Sequence, residues 1–276
     1  MGKLDGKVAF ITGAARGQGR SHALKLAQEG ADIIAVDLCR QVDSVVYPLA
    51  TEADLAETVA QVEALDRRIV ASTADVRDTA QLTKAVDDGV AELGRLDIVL
   101  ANAGIASFAP IEELTDEAWD DMIGINLTGV FKTVRAAAPH LKAGGRGGAI
   151  VLTSSTAGIK GLANLAHYVA AKHGVVGLVK TLANELAPFS IRVNSVHPTA
   201  VDTDMIHNTA TYSMFMPDKP SPTRADAAEA FKTLNALPIE WVESIDISNA
   251  IAFLVSDEAR YITGVQLPVD AGSVIK

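Results

Sequence analysis

Val8-Ala9-Phe10-Ile11-Thr12-Gly13-Ala14-Ala15-Arg16-Gly17-Gln18-Gly19 is the stretch on which the fold turns. Its first five residues are an uncharged run of strand length, the kind expected of a strand buried on both faces. A glycine-rich turn follows, and then a helical pattern over Gly17–Glu29 closed by Gly30. Outward from there the alternation repeats. Asp32–Val36, Ile69–Thr73, Ile98–Ala101, Ala149–Thr153, Arg192–His197 and Val265–Val269 read as strands. Asp54–Leu65, Thr79–Leu93 closed by Gly94, Ala118–Ala138, Leu165–Leu186 and Ile245–Leu254 read as helices. Strand and helix taking turns means βαβ units, which predicts a single α/β domain over 1–276: a doubly wound parallel sheet with helices on both faces.

Composition narrows the function. The chain has 276 residues, with 49% hydrophobic and 21% charged, ordinary globular usage. Its 24 basic against 34 acidic residues give a net charge of −10 with no basic cluster, which argues against nucleic acid and anionic membrane surfaces as partners. The single cysteine, Cys39, excludes an intramolecular disulfide framework and is expected to be inert. No apolar run reaches the roughly 18 residues of a membrane span. The strand at Val8 begins too early for a signal peptide, and Gly6 stands where myristoylation wants Ser or Thr. A cytoplasmic protein is the expectation. The six histidines show no metal spacing, so no metal is expected, and Trp119 is read as packing.

Two connections exceed what the fold needs. One is Leu38–Ala50, about 13 residues against the roughly 2–6 usual for such a turn. It ends at Thr51-Glu52-Ala53-Asp54, a capping-box pattern. The other spans 204–238. Loops this long inside a domain are usually functional.

In the glycine turn the spacing is G-x-x-x-G-x-G. Gly13, Gly17 and Gly19 let the backbone approach a pyrophosphate, which a helix N-terminus stabilises. Asp37, 18 positions after Gly19 at the end of the second strand, can accept hydrogen bonds from both hydroxyls of an adenosine ribose and repels a 2′-phosphate. That favours NAD over NADP. Arg16 pulls the other way, since a basic residue here can pair with a 2′-phosphate, or can simply be solvated.

At the end of the fifth strand stand Ser154 and Ser155, and Tyr168 and Lys172 follow on a helix at i, i+4, hence on one face. A lysine beside a tyrosine favours the phenolate and should draw its pKa down from about 10. That is what a general base for an alcohol needs.

With these residues in view, the whole sequence resembles the short-chain dehydrogenase/reductase family, whose fold is of Rossmann type. Thr12–Gly19, with Arg16 and Gln18 inside it, matches the family's T-G-x-x-x-G-x-G; Asp75-Val76 its adenine-side pair; Asn102-Ala103-Gly104 its N-A-G; and Asn126 its helix asparagine. Ser155 lies at the family's spacing before Tyr168. The resemblance implies Asn126, Ser155, Tyr168 and Lys172 as catalytic residues. It also implies that Tyr168, Lys172, Pro198, Val201 and Thr203 help bind the nucleotide. Pro198-Thr199 departs from the family's P-G. A homotetramer is implied by analogy.

Asp37-Leu38-Cys39-Arg40 and the segment through Leu49 look like the mycofactocin-associated subgroup, similar to carveol dehydrogenases. There an insertion covers NAD, makes it hard to exchange, and leaves mycofactocin as a possible external acceptor. The apolar Val42, Val45, Val46, Tyr47, Pro48 and Leu49 suit such a cover. The later segment carries Met205, Ile206, Tyr212, Met214, Phe215 and Met216, an adaptable apolar surface. Met205, Met214 and Phe215, with Ser155 and Tyr168, are the expected substrate contacts for a small hydrophobic alcohol or ketone of terpenoid character. An NADPH-dependent ketoreductase and a catalytically silent nucleotide-binding protein are the rival readings.

Overall fold

Every residue of Val8–Thr12 (β1) is buried, and its side chains alternate between two cores: Phe10 into one, Ile11 into the other. In the computed structural model, which describes residues 2–276, the central strands of a seven-stranded sheet share this burial and the two edge strands are only partly buried. The strands are β1, Asp32–Asp37 (β2), Ile69–Thr73 (β3), Ile98–Ala101 (β4), Gly148–Thr153 (β5), Ile191–Pro198 (β6) and Gln266–Val269 (β7). All neighbours pair in parallel, in the order β3-β2-β1-β4-β5-β6-β7. Both faces being covered explains the near-continuous apolar runs. Gly17–Gln28 (α1), Glu52–Glu63 (α2) and a late helix, Ser244–Val255, cover one face. Thr79–Leu93 (α3), the helices over 116–144 and Ala166–Leu186 cover the other.

The pattern reading of 118–138 as one uniform helix needs correction. Thr115 caps the start, its hydroxyl accepting from the Ala118 amide at 3.2 Å, so the helix begins as Asp116–Ile123 (α4). It widens into a π turn over Gly124–Thr128 and continues as Gly129–Gly144 (α5). Pro139 lies inside α5 and does not end it; the helix buries Val134, Ala136, Ala137 and Leu141 against the main core on both sides of the proline. Ala166–Leu186 becomes α6. Two short helices inside the second long connection, Thr209–Phe215 (α7) and Arg224–Lys232 (α8), were not legible as helices, and Ser244–Val255 is α9. Both had cap signals. Asn208 accepts from the Thr211 amide at 2.9 Å, and Thr223 with Asp226 forms the same capping box as Thr51 with Asp54.

No helix among the described residues is long and apolar enough to cross a membrane. The α1–α9 contact carries a buried histidine, His22, whose Nδ1 lies 2.8 Å from Ser248 Oγ. Complete burial pushes its pKa down to about 3. Unfolded, the same imidazole titrates near 6.5, so between these values the unfolded chain binds more protons and native stability falls as pH drops below about 6.5. By linkage His22 should cost about 2 kcal/mol on going from pH 7 to pH 5. Urea denaturation at both pH values tests this: His22→Met should lose less stability over that interval than the unaltered chain, by about that amount.

Candidate active site

The chain leaves β1 toward β2 on one side and, after three strands, adds β4 on the other, so a crevice opens at the carboxyl ends of these two neighbours. Two contacts set its width. The buried Thr12 hydroxyl accepts from the amides of Asn102 and Ala103, both at 3.2 Å, while Asn102 Nδ2 donates to the Thr12 carbonyl at 3.2 Å. Gly13, at φ +68°, comes so near the other wall that a Cβ on it would lie 2.8 Å from Ala103 Cα. Gly19 closes the turn on itself: a Cβ there would sit 1.8 Å from the Gly13 carbonyl oxygen, so only glycine fits. Helix α1 then starts without a side-chain cap at Arg16 and without an acidic residue in its first turn. Its first amides are open to an anion.

From this turn one cleft runs past Gln18, Asp37, Leu38, Asp75 and Val76 at one end, and past Asn102, Ala103 and Gly104 to Thr203 and Met205 at the other. Asp37 Oδ2 accepts from the Ala15 amide at 2.9 Å and Oδ1 from the Cys39 amide at 3.3 Å, which fixes the carboxylate at the cleft. Burial opposes ionisation of Asp75, but Arg77 and Arg40 outweigh it and hold the carboxyl below the usual range. Pro198 ends β6, and Val201 is buried in the core and bridged to Val242, two residues before Thr203 at the cleft.

Residues 38–50 carry no helix or strand and are pinned all the same. Val42, Val45 and Tyr47 are buried in the main core beside Ile105 and Ile125. Gln41 gathers the loop by bonding the carbonyls of Val42, Val45 and Tyr47 and the amide of Leu49. Ser44 donates to Asp121 at 2.6 Å, and Tyr47 Oη accepts from the Ala106 amide at 3.2 Å. Val46, read as part of the cover, points outward and is 70% exposed. Arg16 is neither solvated nor free for a phosphate. Its Nη1 pairs with Asp204 at 2.9 Å and its Nη2 donates to the Pro48 carbonyl.

At the other end of the site, β5 delivers Thr153, Ser154 and Ser155 to face α6. Ser154 is buried and donates to the Lys172 carbonyl at 3.0 Å, while Lys172 Nζ donates to the Thr153 carbonyl at 2.9 Å. Ser155 is the serine left facing the opening. Its main-chain carbonyl accepts from the Gly158 amide at 2.9 Å and from His197 Nδ1 at 2.8 Å. A carbonyl can only accept, so Nδ1 carries the proton and Nε2 accepts from Ser195 at 2.9 Å. Burial lowers the His197 pKa and keeps it neutral. Sequence reading missed this histidine. Its signal was a polar residue in an otherwise apolar strand.

Asn126 stands in the π turn, where its carboxamide is used on Ile105: Oδ1 accepts from the Ile105 amide at 2.9 Å and Nδ2 donates to its carbonyl at 2.8 Å. π turns inside helices are frequently functional. A Cβ on Gly104 would come within 3.4 Å of Asn126 Oδ1 and 3.7 Å of Lys172 Nζ, so these three meet at the cleft. Tyr168 joins them, with Lys172 Nζ 5.5 Å from its ring centroid. The expected direction of the phenol's pKa needs correction. Burial pushes Tyr168 up, and the group that lowers it is the Ser155 hydroxyl. Lys172, buried in turn, is pushed down to about 8, and its ammonium lies over the ring with a hydrogen bond to Thr153 instead of at the phenol oxygen.

Of the expected substrate contacts, Met205 lines the cleft. Phe215 packs on Phe231, centroids 4.7 Å apart, in a small core with Tyr212, Met216 and Trp241 that anchors α7 to α8. Met214 stands half-buried beside it on α7.

A glycine turn at a winding reversal, with Ser155, Tyr168, Lys172 and Asn126 converging beside it, has its counterpart in known proteins. The model of the short chain dehydrogenase family matches residues 7–212. The chain belongs to that family. Among curated short-chain dehydrogenases it is 58% identical to (-)-trans-carveol dehydrogenase of Rhodococcus erythropolis over the whole of both chains. Among solved ones it superposes on carveol dehydrogenase from Mycobacterium avium in complex with NAD, with a TM-score of 0.99 and 56% identity, again over both chains in full. A short chain dehydrogenase from Mycobacterium paratuberculosis bound to NAD follows at a TM-score of 0.92 and 48% identity.

Proposed function

We propose that this short-chain dehydrogenase is an NAD-dependent alcohol dehydrogenase that oxidises a hydrophobic secondary alcohol of terpenoid character to its ketone. The observation that carries the reading is a connected set beside a glycine-rich cleft: Asn126 and Lys172 meet at Gly104, Tyr168 lies under the Lys172 ammonium, and Ser155 hydrogen-bonds Tyr168. The two relatives named for carveol support the substrate class, and the two NAD complexes support the cofactor.

The residues present fit NAD. The Gly13–Gly19 turn and the open amides of α1 would hold the pyrophosphate, Asp37 the adenosine ribose, and Lys172 with Tyr168 the nicotinamide ribose. Bound NAD would supply the hydride acceptor. Tyr168 as phenolate takes the alcohol proton at Oη while Ser155 Oγ hydrogen-bonds the reacting oxygen. Lys172, with its ammonium over the Tyr168 ring, would favour the phenolate by its positive charge. Asn126 supports Lys172 by fixing the Gly104–Ile105 backbone beside it. Residues 38–50 would cover the adenosine and slow exchange, and 204–238 would form the substrate lid. By resemblance the reading extends to a mycofactocin-type external acceptor and to a cytoplasmic homotetramer.

Tyr168→Phe keeps the ring and removes the proton acceptor, so turnover should fall about 10²–10⁴-fold with the fold intact, read from single-turnover rates and circular dichroism. Equilibrium affinities should favour NAD over NADP, and Asp37→Ala should narrow the gap; tighter NADP binding by the unaltered protein would favour the NADPH-dependent reading. NAD should survive dialysis of the purified protein, and an artificial electron acceptor should raise steady-state turnover. Under that acceptor, a panel of terpene alcohols, sugars, hydroxy acids and thioester-linked ketones should show preference for the terpene alcohols; preference for a charged or sugar-like member would refute the apolar site.

A further inference from the structure

Arg16 is the side chain of the glycine turn that the nucleotide reading leaves unexplained. It lines the cleft with Asp204 and Leu49 and is held at both of its Nη atoms. One nitrogen reaches the carbonyl of Pro48, in the 38–50 segment; the other pairs with Asp204, the first residue of the segment leading into α7. Gly17 lies beside Thr203, the residue just before that segment, since a Cβ on Gly17 would be 3.4 Å from Thr203 Cγ2. A 2′-phosphate would have to displace one of these partners.

We propose that Arg16 is a positioning residue that clasps the two covers of the cleft to each other, and that its pairing with Asp204 sets how fast NAD leaves. The inference rests on the reading that 38–50 holds NAD in place. The first part of that segment is tied to the scaffold by Arg40, Ser44 and Tyr47. Its last part, Pro48, is tied to Arg16 across the opening. Because the same guanidinium holds Asp204, lifting the Pro48 end or swinging the lid segment away breaks or strains a shared charge-assisted contact. Among the described residues no other charged side chain joins the two segments, so movement of the lid segment loosens the Pro48 edge of the first cover through this one guanidinium. Asp204 is 66% exposed against 23% for Arg16, so the pair is modest in strength and open to screening by salt.

The experiment measures release of radiolabelled NAD from the preloaded protein, chased with unlabelled NAD. Arg16→Gln should release NAD roughly tenfold faster and Asp204→Asn about threefold faster. The double variant should match Arg16→Gln alone, because both changes act on one clasp. About 0.5 M salt should speed release from the unaltered protein and leave Asp204→Asn unmoved. With residues 42–49 replaced by a short glycine linker, Arg16→Gln should have no further effect, which a merely structural role would not predict. Arg16→Lys keeps the charge without the fork and should fall between the two; it also serves if the glutamine variant folds poorly. Release at the unaltered rate from Arg16→Gln and Asp204→Asn, while the unaltered protein holds NAD through dialysis, overturns the clasp and leaves the cover reading standing. Additive effects overturn it too, as does loss of NADP affinity alone in Arg16→Gln. Rapid loss of NAD from the unaltered protein overturns the cover reading itself, and the clasp with it.

Discussion

The reversal of winding between β1 and β4 is the constraint on which the rest of the molecule depends. Adjacent parallel strands whose connections leave in opposite directions cannot close over their own carboxyl ends, and the space between them is held at a fixed width by short contacts. The Thr12 hydroxyl bonds the backbone of 102 and 103, and Gly13 abuts Ala103 with no room for a Cβ. Any side chain at position 13 would wedge the walls apart. Gly104, two residues beyond Asn102, is consequently fixed too, and Lys172 and Asn126 take their places around it.

That edge is dry, and its titratable groups behave accordingly. Tyr168 is held toward phenol, Lys172 is brought down to about 8 and His197 is kept neutral, each mainly by burial. Each would be expensive to ionise without a partner, so the arrangement is poised to respond to a charge brought into the cleft. Ser155 is the fixed point among them, its carbonyl gripped by Gly158 and His197 while its hydroxyl stays at the opening. The Ser155 carbonyl also decides the tautomer of His197, since it can only accept from Nδ1, and Ser195 then donates to Nε2.

The two long connections are built differently. The 38–50 segment places Val42, Val45 and Tyr47 in the main core, so it is as much part of the fold as a strand is. The segment after β6 instead has a small core of its own, formed by Tyr212, Phe231 and Trp241 with Phe215 and Met216. A unit that buries its apolar side chains internally can shift against the domain at little cost, whereas residues 38–50 cannot lift without exposing core.

The sequence by itself determined the strands, the covering helices and the parallel winding, because residues buried on both faces leave continuous apolar runs that need no long-range information to read. It also determined the glycine turn, Asp37 and the serine–tyrosine–lysine set, whose spacings are local. Only the tertiary structure decided how Arg16 is used, since Pro48 and Asp204 are 32 and 188 positions away along the chain. The π turn at Asn126 and the passage of α5 through Pro139 likewise depend on partners from other elements, Ile105 in one case and the buried surface around Leu141 in the other. The sign of the Tyr168 shift was out of reach for the same reason. Sequence spacing puts Lys172 on the right face of α6, but burial and the pull of the Thr153 carbonyl, supplied by β5, decide where its charge sits.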